Sequence, residues 1–116
     1  MIRFDGIYTA QLDDDVQRCQ QYIRFYEDDR VIAVSSEGSP ADVAKWFQWD
    51  HPTISRGTYH VVQSRLSFSS MCESGRVDYD GTINENDLEL RTFSQINGFS
   101  AMRLYAFVPF ASIAPN

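Results

Sequence analysis

The chain has 116 residues, of which 43% are hydrophobic, 14% aromatic and 22% charged; this is enough for one packed domain and excludes disorder by charge excess. Its formal charge is −6, from 16 acidic and 10 basic side chains with no basic run, so nucleic-acid backbones and anionic membrane surfaces are poor partners. No stretch approaches the roughly 20 apolar residues of a membrane span, and Met1 to Gly6 lack the apolar core of a signal peptide, so a cytoplasmic location is expected.

In chain order, residues 4–9 read as a first strand, opened by Gly6-Ile7-Tyr8. Asp13-Asp14-Asp15 breaks it; the three acids are contiguous rather than alternating, so a solvated turn is expected and not a calcium loop. Residues 20–28 form a second strand candidate centred on 22–27, with Ile23 and Phe25 on one face and Tyr22, Arg24 and Tyr26 on the other. Asp28-Asp29-Arg30 turns the chain, and residues 31–36 return as the third strand of a tight hairpin. The period then changes. Ser39 is a good N-cap, Pro40 suits the first helical position, and Val43, Ala44 and Phe47 follow at helical spacing, which predicts a short amphipathic helix over 40–48. Pro52 cannot continue it.

Gly57-Thr58-Tyr59 repeats the N-terminal strand opening, and Tyr79-Asp80-Gly81-Thr82-Ile83 is a looser echo. Strands are predicted at 58–62, 65–70, 75–83, 88–94 and 102–110, with turns at Gln63-Ser64, between Cys72 and Gly75, between Asn84 and Asp87, and around Asn97-Gly98. Eight strands joined in sequence order predict an all-β, antiparallel up-and-down barrel with one helix between the third and fourth strands. A β-sandwich of the same strands is the alternative.

Several segments in this order resemble the small lipocalin-like proteins of the calycin group: the Gly-x-aromatic opening, Ile-Arg-Phe-Tyr-Glu-Asp-Asp-Arg-Val-Ile at 23–32, Gly-Thr-Tyr-His-Val-Val-Gln-Ser-Arg-Leu-Ser-Phe at 57–68, Gly-Thr-Ile-Asn-Glu-Asn-Asp-Leu-Glu-Leu at 81–90, and Leu-Tyr-Ala-Phe-Val-Pro at 104–109. The resemblance spans nearly the whole chain and implies a lipocalin-like barrel. The chain departs from that pattern in having Tyr8 where secreted lipocalins usually have Trp, in placing its helix early, and in being short. A small lumen, or one filled by its own aromatic side chains, is therefore expected.

Arg103 and Tyr105 share one face of the last strand and Leu104, Ala106 and Val108 the other, and the sequence leaves open which face is inside. Turned inward, Arg103 can pair with a carboxylate through two N–H groups while Tyr105 adds its hydroxyl, an arrangement similar to the last strand of intracellular fatty-acid-binding proteins. Arg24 and Tyr26 form a second Arg-x-Tyr pair; turned inward they would add to a polar pole, but an uncompensated Arg is costly to bury, so the preferred arrangement puts Ile23 and Phe25 inside. Tyr79 and Trp46 complete the candidate ligand-binding set.

Trp46, Phe47 and Trp49 form an aromatic cluster expected to plug the barrel mouth, with a homodimer contact or the lining of a ligand entrance as the alternatives. His51 and His60 have no partners at catalytic or metal-ligand spacing. Ser64, Ser67, Ser69 and Ser70 sit in no nucleophile elbow and read as outward positions of a half-solvated strand. Cys19 and Cys72 read as two reduced thiols. No catalytic, metal or cofactor motif stands out. The expected function is binding of a small apolar or carboxylate-bearing ligand in the barrel. The alternatives are a structural or interaction module that forms a homodimer around a filled barrel, and an enzyme using Tyr, His and Asp in the lumen.

Overall fold

A computed structural model describes residues 2–11, 20–47, 49, 54–72, 75–95, 98 and 100–110. The strands are β1 (Gly6–Gln11), β2 (Gln20–Phe25), β3 (Arg30–Ser36), β4 (Ser55–Val62), β5 (Arg65–Cys72), β6 (Gly75–Ile83), β7 (Asp87–Ser94) and β8 (Ser100–Pro109), with the helix α1 (Pro40–Ala44) between β3 and β4. Each strand pairs antiparallel with the next, and β8 pairs with β1, so the sheet closes into an eight-stranded up-and-down barrel with no free edge. A sandwich is thereby ruled out. The Asp13-Asp14-Asp15 turn, Cys19 and His51 lie outside the described residues.

The alternation of each strand divides the barrel into two cores. Facing inward are Tyr8, Ile23, Phe25, Val31, Tyr59, Leu66, Phe68, Leu88 and Leu90. Facing outward from β1, β2 and β3 are Ile7, Tyr22 and Ile32, which α1 and the segment after it cover with Val43, Ala44 and Phe47. The helix is a lid on the outer wall, not on the barrel end. It starts as the sequence predicts, with the Ser39 hydroxyl accepting from the Asp42 backbone N–H at 3.3 Å and Pro40 in the first turn. It stops earlier than 40–48. The backbone N–H groups of Trp46 and Phe47 both reach the Val43 carbonyl, at 3.1 and 2.9 Å, and this turn drops Phe47 fully into the outer core. Burial of one aromatic ring thus outweighs another turn of a helix too short to stand alone.

Phe25 is the hub of the inner core, with edge-on contacts to Tyr8, Tyr59 and Phe68 at centroid distances of 5.6, 5.1 and 5.7 Å. The buried tyrosines anchor their hydroxyls locally. Tyr59 donates to the Tyr26 carbonyl at 2.7 Å, and the Tyr8 hydroxyl accepts from the Arg3 backbone N–H at 3.0 Å. The recurrent glycines fit where strands press together. A side chain at Gly57 would place its Cβ 1.7 Å from the Ser69 carbonyl oxygen, and one at Gly81 would stand 1.9 Å from that of Glu89. Among the described residues no helix is long and apolar enough to cross a membrane.

Candidate functional site

On five strands the inward-facing rows change character along the barrel axis, and these change in the same direction. On β2 the row runs Phe25, Ile23, Gln21; on β3 it runs Val31, Ala33, Ser35; on β4, Tyr59, Gly57, Ser55. On β5 it runs Leu66, Phe68, Ser70, and on β7 Leu88, Leu90, Thr92 and then Ser94. Because the strands alternate in direction, these polar ends meet at one end of the barrel, where β8 contributes Arg103 opposite Leu90. The result is a lumen with an aromatic floor and a polar pole.

A cavity of about 250 Å³ occupies that pole. Arg103 is the sole charged side chain among the described residues that line it, in a chain whose net charge is −6. One Nη of Arg103 donates to the Thr92 hydroxyl over a long 3.4 Å, and the Thr92 hydroxyl in turn donates to the Ala101 carbonyl at 3.4 Å. The Nε of Arg103 is buried and makes no hydrogen bond. On β5 the Ser70 hydroxyl is in the same condition, with the residue only 1% exposed. It lies close enough to Tyr79 to favour ionisation of that phenol, but not in the geometry of a hydrogen bond. Each orphaned buried polar atom costs about 1–3 kcal/mol, which an acceptor placed in the cavity would recover.

Two tyrosines form the boundary between pole and floor. Tyr79 stacks on Phe68 at 4.3 Å, and burial raises its pKa against the opposing pull of the nearby Arg103 charge. Tyr105 is fully buried and donates to the Gln21 side-chain carbonyl; burial raises its pKa as well. Both phenols are therefore neutral hydrogen-bonding groups at neutral pH, and Arg103 carries the charge. Beyond them the lumen is filled by Phe25, Tyr59 and Phe68. The β3–β4 ladder ends at the Ala33–Ser55 pair, so Ser35 lines the cavity beyond the last hydrogen-bonded rung.

Of the residues singled out from the sequence, Arg103, Tyr105 and Tyr79 face the lumen and stand together at this pole. Arg24, Tyr26 and Trp46 do not join them. Arg24 lies on the outer wall, its guanidinium 4.7 Å over the Tyr26 ring and hydrogen-bonded to the Phe47 carbonyl at 3.0 Å. Trp46 packs with Phe47 at 6.3 Å in the outer core. The expected aromatic plug is corrected accordingly: Trp46, Phe47 and Trp49 cover the outer wall of β1–β3 because their segment docks there, and the barrel mouth is not theirs.

Ser70 is a second correction. Ser67 and Ser69 belong to the outward row, but Ser70 continues the inward series Leu66, Phe68 and is buried. Period-two alternation carried through the strand end would have found it, and the same count on β7 finds Thr92. His60 faces outward from β4, exposed, in a depression lined also by Thr58, Ser67, Phe68, Ser69, Arg76, Asp78 and Tyr79. Among the described residues no cluster of His, Cys, Asp and Glu is placed to hold a metal ion. Compared with known proteins, the chain matches no family model, no curated protein and no solved structure.

Proposed function

We propose that this is a cytoplasmic, lipocalin-like binding protein of the calycin type that holds a small carboxylate-bearing ligand at the polar pole of its barrel, with Arg103 as the anchor. The observation that carries this reading is the pair of orphaned buried polar atoms, Arg103 Nε and Ser70 Oγ, on the wall of one cavity that has no acid among its described lining residues. A carboxylate satisfies the guanidinium edge by charge-assisted hydrogen bonds and offers a lone pair to the serine hydroxyl. The size of the site supports a compact ligand. At about 250 Å³ it is below the range of drug-sized pockets, and the aromatic floor leaves no channel for a long acyl chain.

A second reading is supported by that floor. With half of the lumen packed by Phe25, Tyr59, Phe68 and their neighbours, the barrel suits a rigid scaffold for interactions on its outside. Native mass spectrometry of protein purified from its own host separates the two, followed by calorimetric titration with benzoate and hexanoate as probes. A retained small acid, or saturable binding of either probe that Arg103→Met abolishes, supports the binding reading. A bare chain that takes up neither probe leaves the scaffold reading in its place.

A further inference from the structure

The outer wall of β8 differs from the rest of the barrel. Helix α1 and its flanking segment cover β1–β3, and β4–β6 present the polar residues Thr58, His60, Ser67, Asp78 and Asp80, with the exposed apolar Val62 and Met71 standing singly at opposite ends of the β4–β5 ladder. On β8 and its neighbour β7, by contrast, Met102, Leu104 and Phe93 are 52%, 57% and 42% exposed. Large apolar side chains clustered in this way on an otherwise polar wall mark a contact surface.

The charges beside the patch indicate what covers it. Glu89 on β7 lies directly across from Leu104, and Arg91 directly across from Met102, two residues further along the same outward row. Both are exposed, and among the described residues neither forms an ion pair. The four residues make a square with an acid and a base on one side and two apolar residues on the other. Consider a two-fold axis in the plane of contact, crossing the strands midway between the Glu89–Leu104 and Arg91–Met102 rows. It sets Glu89 against Arg91 of the partner subunit, Arg91 against Glu89 of the partner subunit, and Leu104 against Met102 of the partner subunit. The patch is complementary to itself, which is the requirement for an isologous contact.

We propose that this face is the interface of a homodimer in which two barrels pack β7–β8 against β7–β8. This goes beyond the ligand-binding reading and does not depend on it. The face from Ser100 to Val108 is about 30 Å long and roughly 15 Å wide, or about 450 Å² per copy, less than a standard stable interface buries; the dimer is therefore weak and reversible.

Sedimentation velocity from about 5 to 500 µM tests this, with circular dichroism confirming that each surface variant is folded. The wild type passes from monomer to dimer across that range. Glu89→Arg or Arg91→Glu alone sets like charges face to face and weakens the dimer roughly 100-fold, and the double swap restores it to within about fivefold of wild type. Leu104→Arg leaves a monomer. A wild type that stays monomeric throughout overturns the proposal and gives the face to a different protein or a lipid surface. A dimer that both single reversals leave intact overturns it too, because the contact then lies elsewhere.

Discussion

The phenol of Tyr105 on β8 donates a hydrogen bond to the side-chain carbonyl of Gln21 on β2, joining residues 84 apart in sequence. The bond crosses β1, which lies between the two strands, and so ties the closing seam of the barrel to its first hairpin. Because burial holds the Tyr105 pKa above its ordinary value, the phenol stays a donor throughout the physiological range. Tyr105→Phe removes the donor while keeping the ring. The expected loss is about 1 kcal/mol by urea unfolding, since Gln21 is half-buried and keeps some access to water. Adding Gln21→Leu removes the stranded acceptor and recovers part of the loss; full additivity of the two changes would show that the bond contributes nothing.

Arg103 is expected to separate stability from binding. Its Nε is buried without a partner, and its bond to Thr92 is long. Replacing an unsatisfied cation with an apolar chain of similar length therefore costs the empty protein little. Arg103→Met should leave the urea midpoint unchanged or raise stability by up to about 1 kcal/mol, and at the same time abolish binding of benzoate or hexanoate. A large loss of stability without ligand would mean that the guanidinium supports the barrel instead of waiting for an anion.

The fold was legible because its signals are local: Gly-x-Tyr openings, Asn, Asp and Ser turns, and a Ser39-Pro40 helix start each act within a few residues. The site was legible only in part. That Arg103 and Tyr105 share a face follows from alternation, but which face is inside is decided by the β7–β8 and β8–β1 registers, which set Tyr105 across from Leu88 and Phe107 across from Tyr8. The polar pole is less visible still. Gln21, Ser35, Ser70 and Thr92 look unremarkable one by one, and they become a site when alternating strand directions bring their ends to one level. The docking of Phe47 on the outer wall depends on a surface assembled from three strands, which no window of the sequence contains.

The glycines in the repeated openings make a sharper prediction than their turn-like identity suggests. At Gly57 and Gly81 the obstacle is not backbone conformation but the neighbouring strand, whose carbonyl oxygen would lie 1.7 or 1.9 Å from a new Cβ. Such a clash is with backbone and cannot be relieved by a rotamer change. Gly57→Ala and Gly81→Ala are each expected to cost about 3 kcal/mol or more by urea unfolding. Gly38→Ala is the control. Its nearest neighbour is the Ser36 hydroxyl at 3.4 Å, and the cost there should stay below about 1 kcal/mol. Equal effects at all three positions would mean that the strands can separate to admit a methyl group.

On the outer wall, Asp78 should give the protein a marked sensitivity to acid. Its carboxylate accepts from the Ser69 hydroxyl at 2.6 Å, from the Gln95 amide at 2.9 Å and from Arg76 at 2.7 Å, and these bonds hold its pKa down at about 2. A carboxylate whose pKa is depressed by folding contributes stability that is complete above its unfolded pKa, near 3.9, and that fades as pH falls through the folded value. The contribution of Asp78 is thus constant at neutral pH and is lost between about pH 4 and pH 2. Asp78→Asn should lower stability at pH 7 and, relative to wild type, flatten the decline over that window, because the amide cannot gain or lose the proton that drives it. Urea midpoints measured from pH 7 down to pH 2 test both effects. Parallel curves for the two proteins would show that protonation of Asp78 is not coupled to folding and that the three hydrogen bonds do not discriminate between its charge states.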